Sequence, residues 1–195
     1  MVAQCARAGL PAAAGLALST LVLSHPLFFG RALRALSGGV YCMLSLELFG
    51  RTVQAYMAPL GLRTPVLMDS PLRAASLREF WGRRWDVVIQ ELLARYVFRP
   101  ARAAGWPSWL AVWVTFFASG LVHTWPLYMA GLGLSDAASV MAYFGSQALA
   151  IAVERAAMPS TAPDWVRTAF VLVATCAPLP LIVSPSLKLA IGQSL

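Results

Sequence analysis

Charge is scarce in this chain: Asp, Glu, Lys and Arg together make up 12% of its 195 residues, where soluble domains carry roughly 25%. Apolar residues reach 59% and mean hydropathy is +0.68. A water-soluble core of this length cannot hide so much apolar surface, so the soluble class is excluded and a bilayer is the expected solvent. The three cysteines, Cys5, Cys42 and Cys176, are far apart and form no Cys-x-x-Cys. That argues against a disulfide framework or a zinc site. None has a histidine near it in sequence, so they read as small apolar fillers. A Gly-rich phosphate loop, a Gly-x-Ser-x-Gly elbow, an Asp/Glu pair and a His-x-x-x-His are all missing, so hydrolase, nucleotide-binding and metal readings lack residues. Ser119, His123 and Asp136 could be assembled into a triad, but their spacing fixes no attack geometry.

The charge that remains is positive, net +7 with a pI near 10.0. Its arginines alternate with long uncharged spans instead of lining a groove. Anionic headgroups, not nucleic acid, are the expected counterpart. Lysine is reduced to Lys188.

Five uncharged or nearly uncharged runs read as membrane spans: Leu10–Phe29, Gly38–Leu60, Trp106–Met129, Ala137–Val153 and Val166–Val183, the last interrupted by Pro178 and Pro180. The first follows Arg7 as a signal peptide would, but it is too long for one and reaches the length of a span. Trp106, Trp109, Trp125, Tyr128 and Trp165 fall near segment ends, as an interfacial belt requires. Arg63, Arg73, Arg78, Arg83, Arg84, Arg95, Arg99 and Arg102 crowd between the second and third spans, which puts that side in the cytosol by the positive-inside rule. The turn at Gly131–Gly133 then faces the other compartment. Arg155 and Arg167 return to the cytosol, and Arg31 and Arg34 run against the rule. The expectation is an all-α integral membrane protein of about five transmembrane helices, multi-pass, forming one membrane domain over residues 1–195.

The cytosolic stretch carries structure of its own. Ser76-Leu-Arg-Glu79 reads as a capping box in which Glu79 reaches back to the Ser76 N–H. Trp81, Trp85, Val88, Ile89, Leu92 and Tyr96 then recur at helical spacing. Glu79/Arg83 and Glu91/Arg95 offer i,i+4 ion pairs. An amphipathic interfacial helix is expected, tryptophans inward and arginines outward, ending before Pro100.

Chemistry concentrates on the third span. Thr115, Ser119 and His123 recur every four residues, and Gly120 lies one turn before the histidine. A histidine in a membrane span is costly to keep; it either bonds a neighbouring helix or does chemistry. A neutral imidazole there could act as a general base. His25, before Pro26, reads as interfacial. Glu47, Arg51 and Gln54 share one face of the second span. They read as an internal ion pair, with anionic-ligand binding by Arg51 as the functional version.

Three blocks taken together carry a resemblance: Ser76-Leu-Arg-Glu-Phe80-Trp-Gly-Arg-Arg-Trp85-Asp86, then Val97-Phe-Arg-Pro100, then Ser119-Gly-Leu-Val-His123. In order and spacing they resemble the wax synthase-like branch of the membrane-bound O-acyltransferases, over a core segment of residues 65–150. The resemblance implies an MBOAT-like partial bundle in the endoplasmic reticulum membrane. It implies transfer of a fatty acyl group from acyl-CoA, as co-substrate and with no cofactor or metal, to a long-chain or other lipophilic alcohol. It also implies that His123 acts as base on the acceptor hydroxyl and that Asp86 holds the second signature position, where the family has Asn. Trp81, Arg83, Arg84 and Trp85 would border the CoA entry side, and Ser119 joins them as a residue expected to bind acyl-CoA or the acceptor. The partners expected are membrane lipids, acyl-CoA and the alcohol. Two departures stand out: Asp86 in place of Asn, and Thr124 where Glu often follows the histidine. The other class of function is a degenerate acyltransferase that binds lipid or serves as a scaffold subunit.

Overall fold

The computed structural model describes residues 30–62 and 64–191, together with Ala17, Thr20 and Leu21. The first expected span and His25 lie outside the described residues. The chain divides into two compact units, Met1–Asp69 and Ser70–Leu195.

The first unit is built on α1, Arg31–Met57, which ends in a 3-10 turn, Ala58–Leu60, and a left-handed Gly61. The chain then folds back on the helix. Gln54 Nε2 donates to the Pro65 carbonyl at 3.2 Å, and a Cβ on Gly50 would come within 2.9 Å of the Leu67 side chain. Glu47 and Arg51 form the expected i,i+4 pair, 2.8 Å apart.

In the second unit a short helix, α2 (Leu77–Glu79), runs directly into a π turn, Phe80–Arg84. Helix α3 (Val87–Leu93), a second π turn (Ala94–Phe98) and α4 (Arg99–Ala103) follow. Three long elements complete it: α5 (Ser108–Met129), α6 (Leu134–Ala157), and α7 (Asp164–Cys176) leading into α8 (Leu179–Ile191). Among the described residues, helices α5 and α6 make the most extensive packing. Gly120 permits their approach, since a Cβ there would sit 2.7 Å from the Met141 sulfur.

Among the described residues, α5 and α6 are long and apolar enough to cross a membrane. Helix α7 and the first part of α8, bent by 41° at the break, make a third span if counted as one. The bend falls at Pro178, which cannot donate to the helical ladder. Five spans were expected, and two or three are found in this part of the chain. The expected second span corresponds to α1, which is long enough but carries Arg34, Glu47 and Arg51 and does not reach the apolar composition of a span. Trp106, Trp109, Trp125, Tyr128 and Trp165 are all exposed near helix ends, as a belt requires.

The amphipathic helix differs from expectation in three ways. It is broken: Trp85 is extended and Asp86 is left-handed, at φ 41°. It passes Pro100, which lies in the first turn of α4 where a missing N–H costs least. Its ion pairs also shift. Glu79 meets Arg84 at 2.7 Å instead of Arg83, and Glu91 meets Arg99 at 3.2 Å instead of Arg95. A π turn closes i to i+5, so the residue five positions on from Glu79 comes beneath its carboxylate. Phe80 and Trp85 stack by the same step, 5.5 Å between centroids.

Candidate active site

The Trp-rich block is fastened at several points. Ser76 Oγ accepts from the Glu79 N–H at 3.0 Å, completing the predicted cap. The return bond goes one residue further than expected, from the Ala75 N–H to Glu79 Oε2 at 2.9 Å. The Ala75 N–H, then Arg84, hold the Glu79 carboxyl below its ordinary value. The Leu77 N–H donates to both oxygens of Glu154 on α6, each 3.1 Å away. This satisfies one of the orphan donors of the α2 first turn with a carboxylate, the group best suited to a helix N-terminus.

Trp81 is the hub. Its Nε1–H donates to Gln147 Oε1 at 3.3 Å. Its ring meets Phe116 and Tyr143 edge-on, at 5.8 and 6.5 Å between centroids. It touches both apolar clusters of the unit: Leu77, Phe80 and Val171 on one side, Leu127, Val140 and Phe144 on the other. Gln147 is fully buried and donates in turn to the Ala174 carbonyl on α7 at 3.1 Å. One amide therefore ties the first π turn, α6 and α7 together.

His123 lies on α5 with its ring 4.7 Å from that of Phe144. A histidine in a membrane span is expected to turn toward protein, but this imidazole is exposed. Nδ1 is 2.9 Å from the Ser119 carbonyl oxygen. A carbonyl only accepts, so Nδ1 carries the proton of the neutral ring and Nε2 keeps a free lone pair. Of the polar stripe, Thr115 turns its hydroxyl back on the Ala111 carbonyl at 2.7 Å. Ser119 is buried and contributes its backbone oxygen to the histidine.

Asp86 caps α3, its Oδ1 accepting from the Ile89 N–H at 3.3 Å. Burial raises its pKa, and the Ile89 N–H and His123 pull the other way. Asp86 and His123, remote in sequence, are thus near enough in the fold to influence each other electrostatically. The left-handed backbone also bears on the departure from Asn. Asn and Asp are the non-glycine residues that best tolerate this conformation, and both are good N-caps. Asp86 therefore does the capping and backbone work that Asn could do here, and differs from it in charge and in lacking the amide donors.

Of the four side chains expected at the CoA side, Trp81, Trp85 and Arg84 are half-buried and engaged within the block, and Arg83 is the one that is exposed. Gln147 and Glu154 were not anticipated. With Tyr143 they fall at i, i+4 and i+11 on an otherwise apolar helix, which marks a face turned toward protein.

Residues 64–146 match the family model described as the membrane bound O-acyl transferase family. The segment is also similar to the "Probable long-chain-alcohol O-fatty-acyltransferase 8" of Arabidopsis thaliana, 36% identical over 62 residues, 28% of this chain and 18% of the relative. The long-chain-alcohol O-fatty-acyltransferase of Simmondsia chinensis is 34% identical over 73 residues, 34% of this chain and 21% of the relative. An acyl-CoA–sterol O-acyltransferase of Arabidopsis thaliana is 29% identical over 91 residues, 43% and 26% of the two chains. The chain thus spans between 18% and 26% of the length of these relatives. The wax synthase-like resemblance agrees with these names. The O-acyl transferase match takes in Asp86 and His123 and stops at residue 146, beside the Gln147 that fastens Trp81.

Proposed function

We propose that this chain carries the site of an acyl-CoA-dependent O-acyltransferase that esterifies a long-chain or other lipophilic alcohol, in the endoplasmic reticulum membrane. The observation that carries the reading is the free Nε2 of His123, its tautomer held by a backbone carbonyl and its ring within the field of Asp86. The relatives' names supply the substrate class. Nε2 takes the proton of the acceptor hydroxyl as the oxygen attacks the thioester carbonyl carbon. The C–S bond breaks, the thiolate of CoA leaves, and it recovers the proton from the imidazolium, so that ester and free CoA are the products. No covalent enzyme intermediate is needed. Ionised Asp86 steadies the imidazolium during transfer, and exposed Arg83 offers a donor for the phosphates of the CoA moiety. The bilayer keeps both long-chain substrates at hand and competing water away.

The test is ester formation by membranes carrying the chain, given labelled long-chain acyl-CoA and a long-chain alcohol. His123→Ala should lower the rate by about 10²–10⁴. Ester formation unchanged in that variant overturns the assignment of the base. A well-expressed wild-type chain that makes no ester favours the lipid-binding or scaffold reading instead.

A further inference from the structure

The block from Ser76 to Trp85 is largely covered by protein, whereas the rod that follows it rests one face on α5 and leaves another exposed. Along Val87–Ala103, Ile89 is 37% exposed, Leu92 47% and Tyr96 68%. Ile89 and Leu92, three apart on α3, share a face, and Tyr96 follows in the π turn. Arg95, Arg99 and Arg102 are exposed beside it. Glu91 is the one acid of the rod and pairs with Arg99, so the face stays cationic.

The position of the rod relative to a bilayer follows from what comes next. The chain turns at Gly105, φ 83°, and α5 begins at Ser108. Arg102 closes that turn by donating to the Trp106 carbonyl. Trp106 and Trp109 are exposed at the entry of a membrane-length helix, the depth of the headgroups. The rod ends within one short turn of that depth.

We infer that the outer face of Val87–Ala103 docks on anionic lipid headgroups of the adjoining leaflet. Ile89, Leu92 and Tyr96 enter the acyl boundary, while Arg95, Arg99 and Arg102 hold headgroup phosphates. A second copy of the chain is a poor occupant, because an isologous contact would set arginines against arginines. Water is poorer still for three large apolar side chains in a row. Headgroup phosphate over an acyl boundary matches both halves of the face at once. The inference does not depend on catalysis.

The experiment uses the full chain with Cys5, Cys42 and Cys176 replaced by serine and an environment-sensitive fluorophore on Leu92→Cys. The protein is placed in nanodiscs of phosphatidylcholine, alone or mixed with phosphatidylserine. The label should shift to the blue and be quenched by lipid-borne quenchers, more strongly as phosphatidylserine rises. A label on Ser160→Cys, in the exposed turn between α6 and α7, should not respond. Replacing Arg95, Arg99 and Arg102 by Gln should weaken the response roughly fivefold per arginine, and Lys at the same positions should restore it. Water-like emission from Leu92→Cys in both bilayers overturns the inference. So does equal burial with and without phosphatidylserine, or a signal that vanishes when nanodiscs hold single copies.

Discussion

Before Asp86 the segment from Leu77 to Trp85 is tied inward, with its first N–H on Glu154, its indole on Gln147 and its rings stacked against one another. After Asp86 the rod from Val87 to Ala103 turns much of its apolar surface outward, and its ion pair is exposed. Both stretches mix large apolar residues with arginine, so composition alone does not separate them. A single left-handed residue and two π turns do, by changing which side chains share a face. What differs is how far the rest of the protein covers each stretch.

The largest effect expected from this contrast is at its inward end. Trp81→Ala should cost about 2–4 kcal/mol in thermal or denaturant unfolding in micelles, since it removes a half-buried indole that joins both clusters. Tyr96→Ala, at the outward end, should stay within about 0.5 kcal/mol. Equal losses at the two positions would erase the distinction.

Next in size is Gln147→Leu, which leaves the Trp81 N–H and the Ala174 carbonyl without their partner. A loss of about 1–3 kcal/mol is expected. Trp81→Phe should then add little on top, because the shared bond is already gone. Additive losses in the double-mutant cycle would show that the amide and the indole act separately.

Asp86→Ala should cost about 1–2 kcal/mol through the lost cap and the left-handed backbone, whereas Asp86→Asn keeps both. The pKa of Asp86 is raised in the folded chain, so its ionised form opposes folding above that value. This penalty is relieved as pH falls through the raised value and is absent below the ordinary carboxylate range. Melting curves should find the Asn variant slightly more stable at neutral pH, with the gap closing on acidification. A gap that widens instead contradicts the burial of this carboxyl.

The smallest effect belongs to Glu79, whose pKa is lowered. Its contribution is complete above the ordinary carboxylate value and is lost as pH falls through the lowered one. Glu79→Gln should therefore cost no more than ~1 kcal/mol at neutral pH, since the pair is still partly exposed to solvent. Wild type and variant should converge in acid. A difference independent of pH would mean the carboxylate's charge plays no part.

Much of this arrangement was legible in the sequence. The capping box announced α2, the uncharged runs announced α5 and α6, and Pro178 announced the bend after α7. The break at Asp86 was not, because aspartate gives no sign of a left-handed backbone the way glycine does. The shift of the Glu79 pair from i+4 to i+5, and of the Glu91 pair from i+4 to i+8, was equally hidden, since helical spacing assumes the α repeat. Pro100 misled because a proline stops a helix only where an N–H is needed. At the site, His123 and the Trp-rich block stood out as residues, but their proximity is a matter of tertiary packing. Gln147 and Glu154 could have been found, as polar side chains on the inward face of an apolar helix.

The imidazole of His123 is steered by the main chain at Ser119 and not by that residue's hydroxyl. The hold is therefore indifferent to what stands at position 119. Alanine or glycine there would present the same oxygen, and chance substitution cannot switch the ring's tautomer. Only a change in the path of the helix itself, such as a proline within that turn, could turn the nitrogen away.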